Sequence, residues 1–188
     1  MNRLTSALLV GAVSLVGVLG TPAPVHAGEI TCRGSMGSRT VDDLRVPRGA
    51  TCTLNGTRVD GNIKVARNAR LYAYGVRVKG NIQAEEARRV RVLSGSRVNG
   101  DIQLDDGKNG RVRRSVVGGN IQVKANSGRL IVARNTVGGD VQAFSNRGGV
   151  RIAYNRIDGN LQCKSNQPRP TGGNNIVDGN KEDQCRGL

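Results

Sequence analysis

Val117-Gly118-Gly119-Asn120-Ile121-Gln122-Val123-Lys124 is the stretch on which the fold turns. Val117, Ile121 and Val123 share one parity, while Asn120, Gln122 and Lys124 share the other. A period of two means a strand with its first set turned inward. The pattern of apolar residue, spacer, Gly, then Asn or Asp also starts at Val59, Val78, Val98, Val137, Ile157 and Val177. The glycines stand at 61, 80, 100, 119, 139, 159 and 179, so the intervals are 19, 20, 19, 20, 20 and 20. A fixed period of that size marks one structural unit stacked on itself.

The inner column of such a stack contains Val78, Val98, Val117, Val137 and Ile157 before the glycines. Ile82, Ile102, Ile121, Val141 and Leu161 continue it beyond them. A second apolar pair follows about eleven residues after several glycines: Val90 and Val92, Leu130 and Val132, Val150 and Ile152. Each turn therefore offers two short strands, with room for a third, joined by tight polar corners. The expected fold is all-β: a single-stranded parallel β-helix, or β-solenoid, with a right-handed coil and about eight rungs. Parallel strands ordinarily need helical crossovers, but here each turn pairs with the next. At about 4.8 Å per rung the rod would be near 38 Å long.

The corners and faces carry ladders of their own. Asn126, Asn146 and Asn166 stand 20 apart, as do Asn135, Asn155 and Asn175. Asn tolerates left-handed backbone, and stacked amides hydrogen-bond along an axis. Gln83, Gln103, Gln122, Gln142 and Gln162 form an outward column, expected to be a supporting amide ladder. Each signature glycine marks a bend or a close backbone approach.

Residues 1–27 read as a secretion signal. Arg3 supplies the positive start, residues 7–19 are apolar or small, and Val25-His26-Ala27 suits a signal-peptidase site. The apolar stretch is short of the roughly 20 residues that a membrane span needs. The solenoid is therefore expected over residues 28–188, outside the cytoplasm. In an oxidising compartment an even set of cysteines favours disulfides. Cys32 and Cys52 lie 20 residues apart, and Cys163 and Cys185 lie 22 apart. Stacking brings residues one repeat apart to within disulfide reach, so the expected pairs are Cys32–Cys52 and Cys163–Cys185, one staple at each end. Lys181 stands where earlier copies are apolar, with Glu182 and Asp183 after it, which reads as a cap against further stacking. The proline-bearing residues 167–173 are expected to replace the second strand of the last turn.

Loss of the signal removes Arg3 and no acid, leaving 28 basic and 14 acidic residues, a net charge of +14, with 22 of the bases Arg. Such a charge attracts anionic polysaccharide, envelope polymers, lipid headgroups or nucleic acid. His26 leaves with the signal, so neither a histidine base nor a histidine metal ligand remains. No cofactor or metal is expected. Three Tyr and one Phe offer little for base stacking, which disfavours nucleic acid.

The stretch Val46-Pro47-Arg48-Gly49-Ala50-Thr51-Cys52-Thr53-Leu54-Asn55-Gly56-Thr57, the repeated Gly-Asn-Ile-Gln, and the tail from Gly159-Asn160-Leu161-Gln162-Cys163 to Gly179-Asn180-Lys181 resemble exported bacterial bactofilin-like proteins. The resemblance spans nearly the whole chain after the signal and brings no catalytic residues. It implies a β-solenoid. Bactofilins proper are cytoplasmic and stack end to end into filaments; the signal, the cysteine staples and Lys181 depart from that pattern.

The function expected on these grounds is a non-catalytic secreted or envelope-associated rod, monomeric, whose basic faces hold an anionic polymer. Arg58, Arg77, Arg97 and Arg156 each stand three residues before a signature glycine, with Val116 and Thr136 interrupting the column. Arg89, Arg91, Arg111, Arg113, Arg114 and Arg129 make a denser basic region in the middle turns. One alternative is a polysaccharide lyase or hydrolase, for which Asp101, Asp140, Asp105 and Asp106 are the candidate carboxylates. Another is self-assembly or adhesion in the manner of bactofilins.

Overall fold

Three short strands per turn are what the alternating pattern produces: Ile82–Glu85, Arg89–Leu93 and Arg97–Val98 make up one complete turn. The computed structural model describes residues 28–188, and the expected signal at 1–27 lies outside them. Stacked turns generate three parallel sheets of nine, eight and eight strands, with no helix among the described residues. We call them sheet I (containing Ile82–Glu85), sheet II (Arg89–Leu93) and sheet III (Arg97–Val98). The architecture is a parallel β-solenoid of about eight turns, as the repeat requires.

Register follows the repeat residue for residue. Ile82 pairs with Ile102, Ile102 with Ile121, Ile121 with Val141 and Val141 with Leu161 in sheet I. All five side chains are fully buried, as are Val98, Val137 and Ile157 from sheet III. Burial of one such aliphatic side chain stabilises by about 2 kcal/mol. The same alternation leaves every second residue of each strand on the outer surface.

Two of the three corners turn through a left-handed residue, and a polar ladder lies behind it. Ala125, Ser145 and Ser165 take φ of 54°, 56° and 58° between sheets I and II. Arg134, Tyr154 and Asn174 take 59°, 58° and 57° between sheets II and III. At all six of these corners the left-handed position is therefore the residue before a ladder asparagine, and the ladder asparagines point inward. Asn126, Asn146 and Asn166 are buried, as are Asn135, Asn155 and Asn175. Asn146 Nδ2 donates to Asn166 Oδ1 and to the carbonyl of Val123, both at 2.9 Å. Its own Oδ1 accepts from the backbone N–H of Asn126 at 3.0 Å. Every buried side-chain polar atom among the described residues has a partner.

The signature glycines mark close approach. A Cβ on Gly119 would collide with Asp101 Oδ1 and with the Gly100 backbone one turn below. A further ladder runs through the neighbouring Asn or Asp. The backbone N–H of Asn81 donates to Asn62 Oδ1 at 2.9 Å, that of Asp101 to Asn81 at 2.8 Å, and that of Asp140 to Asn120 at 2.7 Å. The outward glutamines form a weaker ladder than expected: Gln142 donates to Gln162 at 2.8 Å, but Gln122 turns to Asp105 at 3.4 Å.

Both disulfides pair as the spacing requires, Cys32 with Cys52 and Cys163 with Cys185, with Cα separations of 5.6 and 5.2 Å. The C-terminal end differs from expectation in one respect. Residues 167–173 do not abolish the second strand: Thr171–Gly173 still pairs with Val150–Ala153. Glycine permits it, because a Cβ at Gly172 would strike the Ile152 backbone. Lys181 remains in register with Leu161, and the end is closed by the tail, whose Leu188 packs against the core.

Candidate anion-binding face

Sheet II presents one sign of charge. Its outward positions lie between inward aliphatics, as Arg91 lies between Val90 and Val92, and Arg151 between Val150 and Ile152. In register these positions read Tyr72, Arg91, Arg111, Ile131, Arg151. A flanking column holds Arg70, Arg89 and Asn109, with Arg129 beside them donating its backbone N–H to Asn109 Oδ1 at 3.1 Å. None of the eight strands of this sheet contains Asp or Glu. Ion pairs among the described residues involve Arg45, Lys64, Arg67, Lys79 and Arg156, none of which lies on sheet II. Arg89, Arg91, Arg111 and Arg113 are half-buried, their stems lying along the sheet, whereas Arg129 and Arg151 are exposed. Arg91 also sits 5.5 Å from the Tyr72 ring centroid.

The ten arginines singled out in the sequence therefore divide between faces. Arg89, Arg91, Arg111, Arg113 and Arg129 gather on or beside sheet II, and Arg114 sits at its corner with sheet III with φ 53°. Arg58, Arg77 and Arg97 make an exposed row on sheet III. Arg156 is cut off from that row by Val116 and Thr136, and its guanidinium reaches Asp178 at 3.1 Å and Asp158 at 3.9 Å. Asp60 and Lys79 pair at 3.0 Å beside the row, so sheet III is mixed in charge. Arg70, Arg134, Arg151 and Tyr154 belong to the sheet II region and were not singled out. Parity could have found Arg151, because it repeats the placement of Arg91.

Toward the C-terminal end of sheet II a shallow basin of about 280 Å³ opens. Ile131, Ala133 and Ala153 line it together with Tyr154, and the Arg134 guanidinium lies 4.8 Å from the Tyr154 ring centroid. Arg111, Arg113, Arg129 and Arg151 surround it.

The carboxylates considered for catalysis lie elsewhere. Asp101 and Asp140 are rungs of the ladder beside the signature glycines, each accepting the backbone N–H of the next rung, Asn120 at 2.7 Å and Asn160 at 2.6 Å. Asp105 and Asp106 line a groove of about 710 Å³ along sheet I, with Glu29, Glu85 and Glu86. Burial pushes the Asp105 carboxyl above its ordinary value, against the lowering effect of the Gln122 hydrogen bond and Lys124. Among the described residues no group of three or more His, Cys, Asp or Glu is placed to hold a metal ion.

Comparison with protein-family models, curated proteins and solved structures finds no match to this chain. Fold and face together define the class: a parallel β-solenoid with a disulfide at each end and one sheet whose charged strand residues are all basic. Two disulfides suit a non-reducing environment, and no described helix is long and apolar enough to cross a membrane.

Proposed function

We propose that the protein is a non-catalytic rod of the cell envelope or extracellular space that holds an anionic polymer along sheet II. The supporting observation is the outer face of that sheet, where Arg91, Arg111 and Arg151 stand with no carboxylate on any strand and no ion pair to neutralise them. Uncompensated like charge costs stability through self-repulsion, and an anionic ligand relieves that cost. Adjacent strands set the backbones of Arg91 and Arg111 about 4.8 Å apart, and Arg151 follows two strands beyond Arg111, a row that a chain of carboxylates or phosphates can follow. Guanidinium groups suit such partners because their paired N–H donors match both geometries.

The test is binding of the oxidised, signal-free protein to an acidic polysaccharide, with a neutral polysaccharide as control, at two salt concentrations. Binding is expected to fall steeply as salt rises. The triple variant Arg91→Ser, Arg111→Ser, Arg151→Ser should weaken it by about 100-fold, at roughly 1 kcal/mol per lost charged contact. Salt-independent binding, or a triple variant that binds like the parent, removes the proposal.

One observation favours a second reading, a polysaccharide hydrolase or lyase. Asp105, whose carboxyl burial raises above its ordinary value, lines the sheet I groove beside Asp106 and Glu85, and a shift in that direction suits a general acid. Release of reducing ends or unsaturated uronides from a panel of polymers, lost in Asp105→Asn, would establish it.

A further inference from the structure

The basin on sheet II offers something besides charge. In the column occupied elsewhere by Arg91, Arg111 and Arg151, its central position is Ile131. In the adjacent column Arg113 gives way to Ala133 and Ala153. A polymer of phosphates alone has no use for an apolar floor, since its surface is charged oxygen. A pyranose ring does, because its axial C–H groups form an apolar face.

Tyr154 points the same way. It is 48% exposed and takes a left-handed φ of 58°. Ser94, Arg114, Arg134 and Asn174 turn the equivalent corner in other coils. The turn itself therefore does not ask for an aromatic ring, and a bulky residue in this region of backbone is uncommon. Strain held where the fold does not need it is a pointer to binding. Arg134, at 4.8 Å, holds the ring by a cation–π contact.

We propose that the basin is a subsite for an acidic glycan. One sugar ring lies on Ile131 and Tyr154, and its carboxylate or sulfate groups meet the guanidinium groups of Arg111, Arg129 and Arg151. The proposal rests on the reading of sheet II as an anion-binding face and narrows it from anionic polymers in general to those made of sugars.

The experiment compares oligogalacturonate with inorganic polyphosphate of equal charge, by calorimetry at one salt concentration, on the oxidised protein. The parent should bind the oligogalacturonate about tenfold more tightly, the size of effect that one stacked ring supplies. Tyr154→Ser and Ile131→Thr should each erase most of that preference. Serine already occupies left-handed corners at Ser94, Ser145 and Ser165, and Thr suits an outward strand position, so both variants are expected to fold. Thermal melts confirm it, and either folded variant suffices for the comparison. Arg48→Ser with Lys164→Ser and Arg186→Ser removes three charges from other exposed surfaces and should keep the preference. Equal affinity of the parent for the two polymers, or full preference retained in the folded variants, overturns the glycan subsite while leaving the anion-binding face intact. Failure to bind either polymer removes the face as well.

Discussion

Asp101 Oδ1 accepts the backbone N–H of Asn120, one turn further along, at 2.7 Å, and the Asn120 side-chain amide at 3.3 Å. The carboxylate is a structural rung, doing for one coil what Asn81 does for the coil before it. Asp101→Asn keeps an acceptor oxygen and should leave the melting temperature nearly unchanged. Asp101→Ala strands the Asn120 N–H and should cost about 1–2 kcal/mol. Chemical denaturation of the two variants decides the matter; equal losses in both would show that the charge, not the acceptor, holds the coil.

The buried asparagines should be the most sensitive polar positions. Asn146 makes bonds to Asn126, Asn166 and Val123 within 3.0 Å, and none of these partners has water to turn to. Asn146→Ala should destabilise by about 3 kcal/mol, counting the groups left unpaired. Asn55→Ala, at an exposed position, should cost less than about 0.5 kcal/mol. Comparable losses at the two sites would contradict the ladder.

Each disulfide joins adjacent coils across a sequence separation of 20 or 22 residues. Removing Cys163–Cys185 as a pair of serines should lower stability by roughly 3 kcal/mol, the loop-closure value for that length. Limited proteolysis should then cut first within residues 181–188, whose order depends on that bond. Unchanged cleavage kinetics would mean that packing of Leu188 alone secures the tail.

Asp105 predicts a pH dependence of known sign. Because burial raises its carboxyl in the folded chain, the fold binds that proton more tightly than the unfolded chain does. Stability contributed by this group is greatest below the ordinary value of 3.8, falls as pH rises through the folded value, and stays reduced above it. Asp105→Asn should therefore raise the melting temperature at neutral pH and bring no gain well below 3.8. A variant that melts lower at neutral pH would show that Lys124 and Gln122 outweigh the cost of burial.

The stacking was legible because it depends on residue spacing alone: glycines about 20 apart and aliphatics of constant parity place Ile102 over Ile82 without knowledge of any angle. The cysteine pairs followed from the same adjacency. The basic surface was less legible. Arg89 and Arg58 look equivalent along the chain, and only the assignment of strands to separate sheets divides them. Arg156 looked like a fourth member of its row, yet Asp178, 22 residues on, neutralises it. The left-handed corners were displaced by one residue, because Asn was credited with a backbone role that Ser145 and Ser165 perform. Asp101 and Asp140 were weighed for catalysis because a side chain's bond to the backbone of the next coil leaves no mark on composition.

Contacts in this molecule run almost wholly between successive coils, as Val117 to Val137 and Val137 to Ile157 illustrate. The middle of the rod is therefore modular. Splicing out residues 117–136 would join Val116 to Val137 with side chains still facing as they should, and duplicating the same block would lengthen the chain by one layer. The number of coils, and with it the length of the arginine-bearing face, can thus be tuned in whole steps, while the two stapled ends stay as they are.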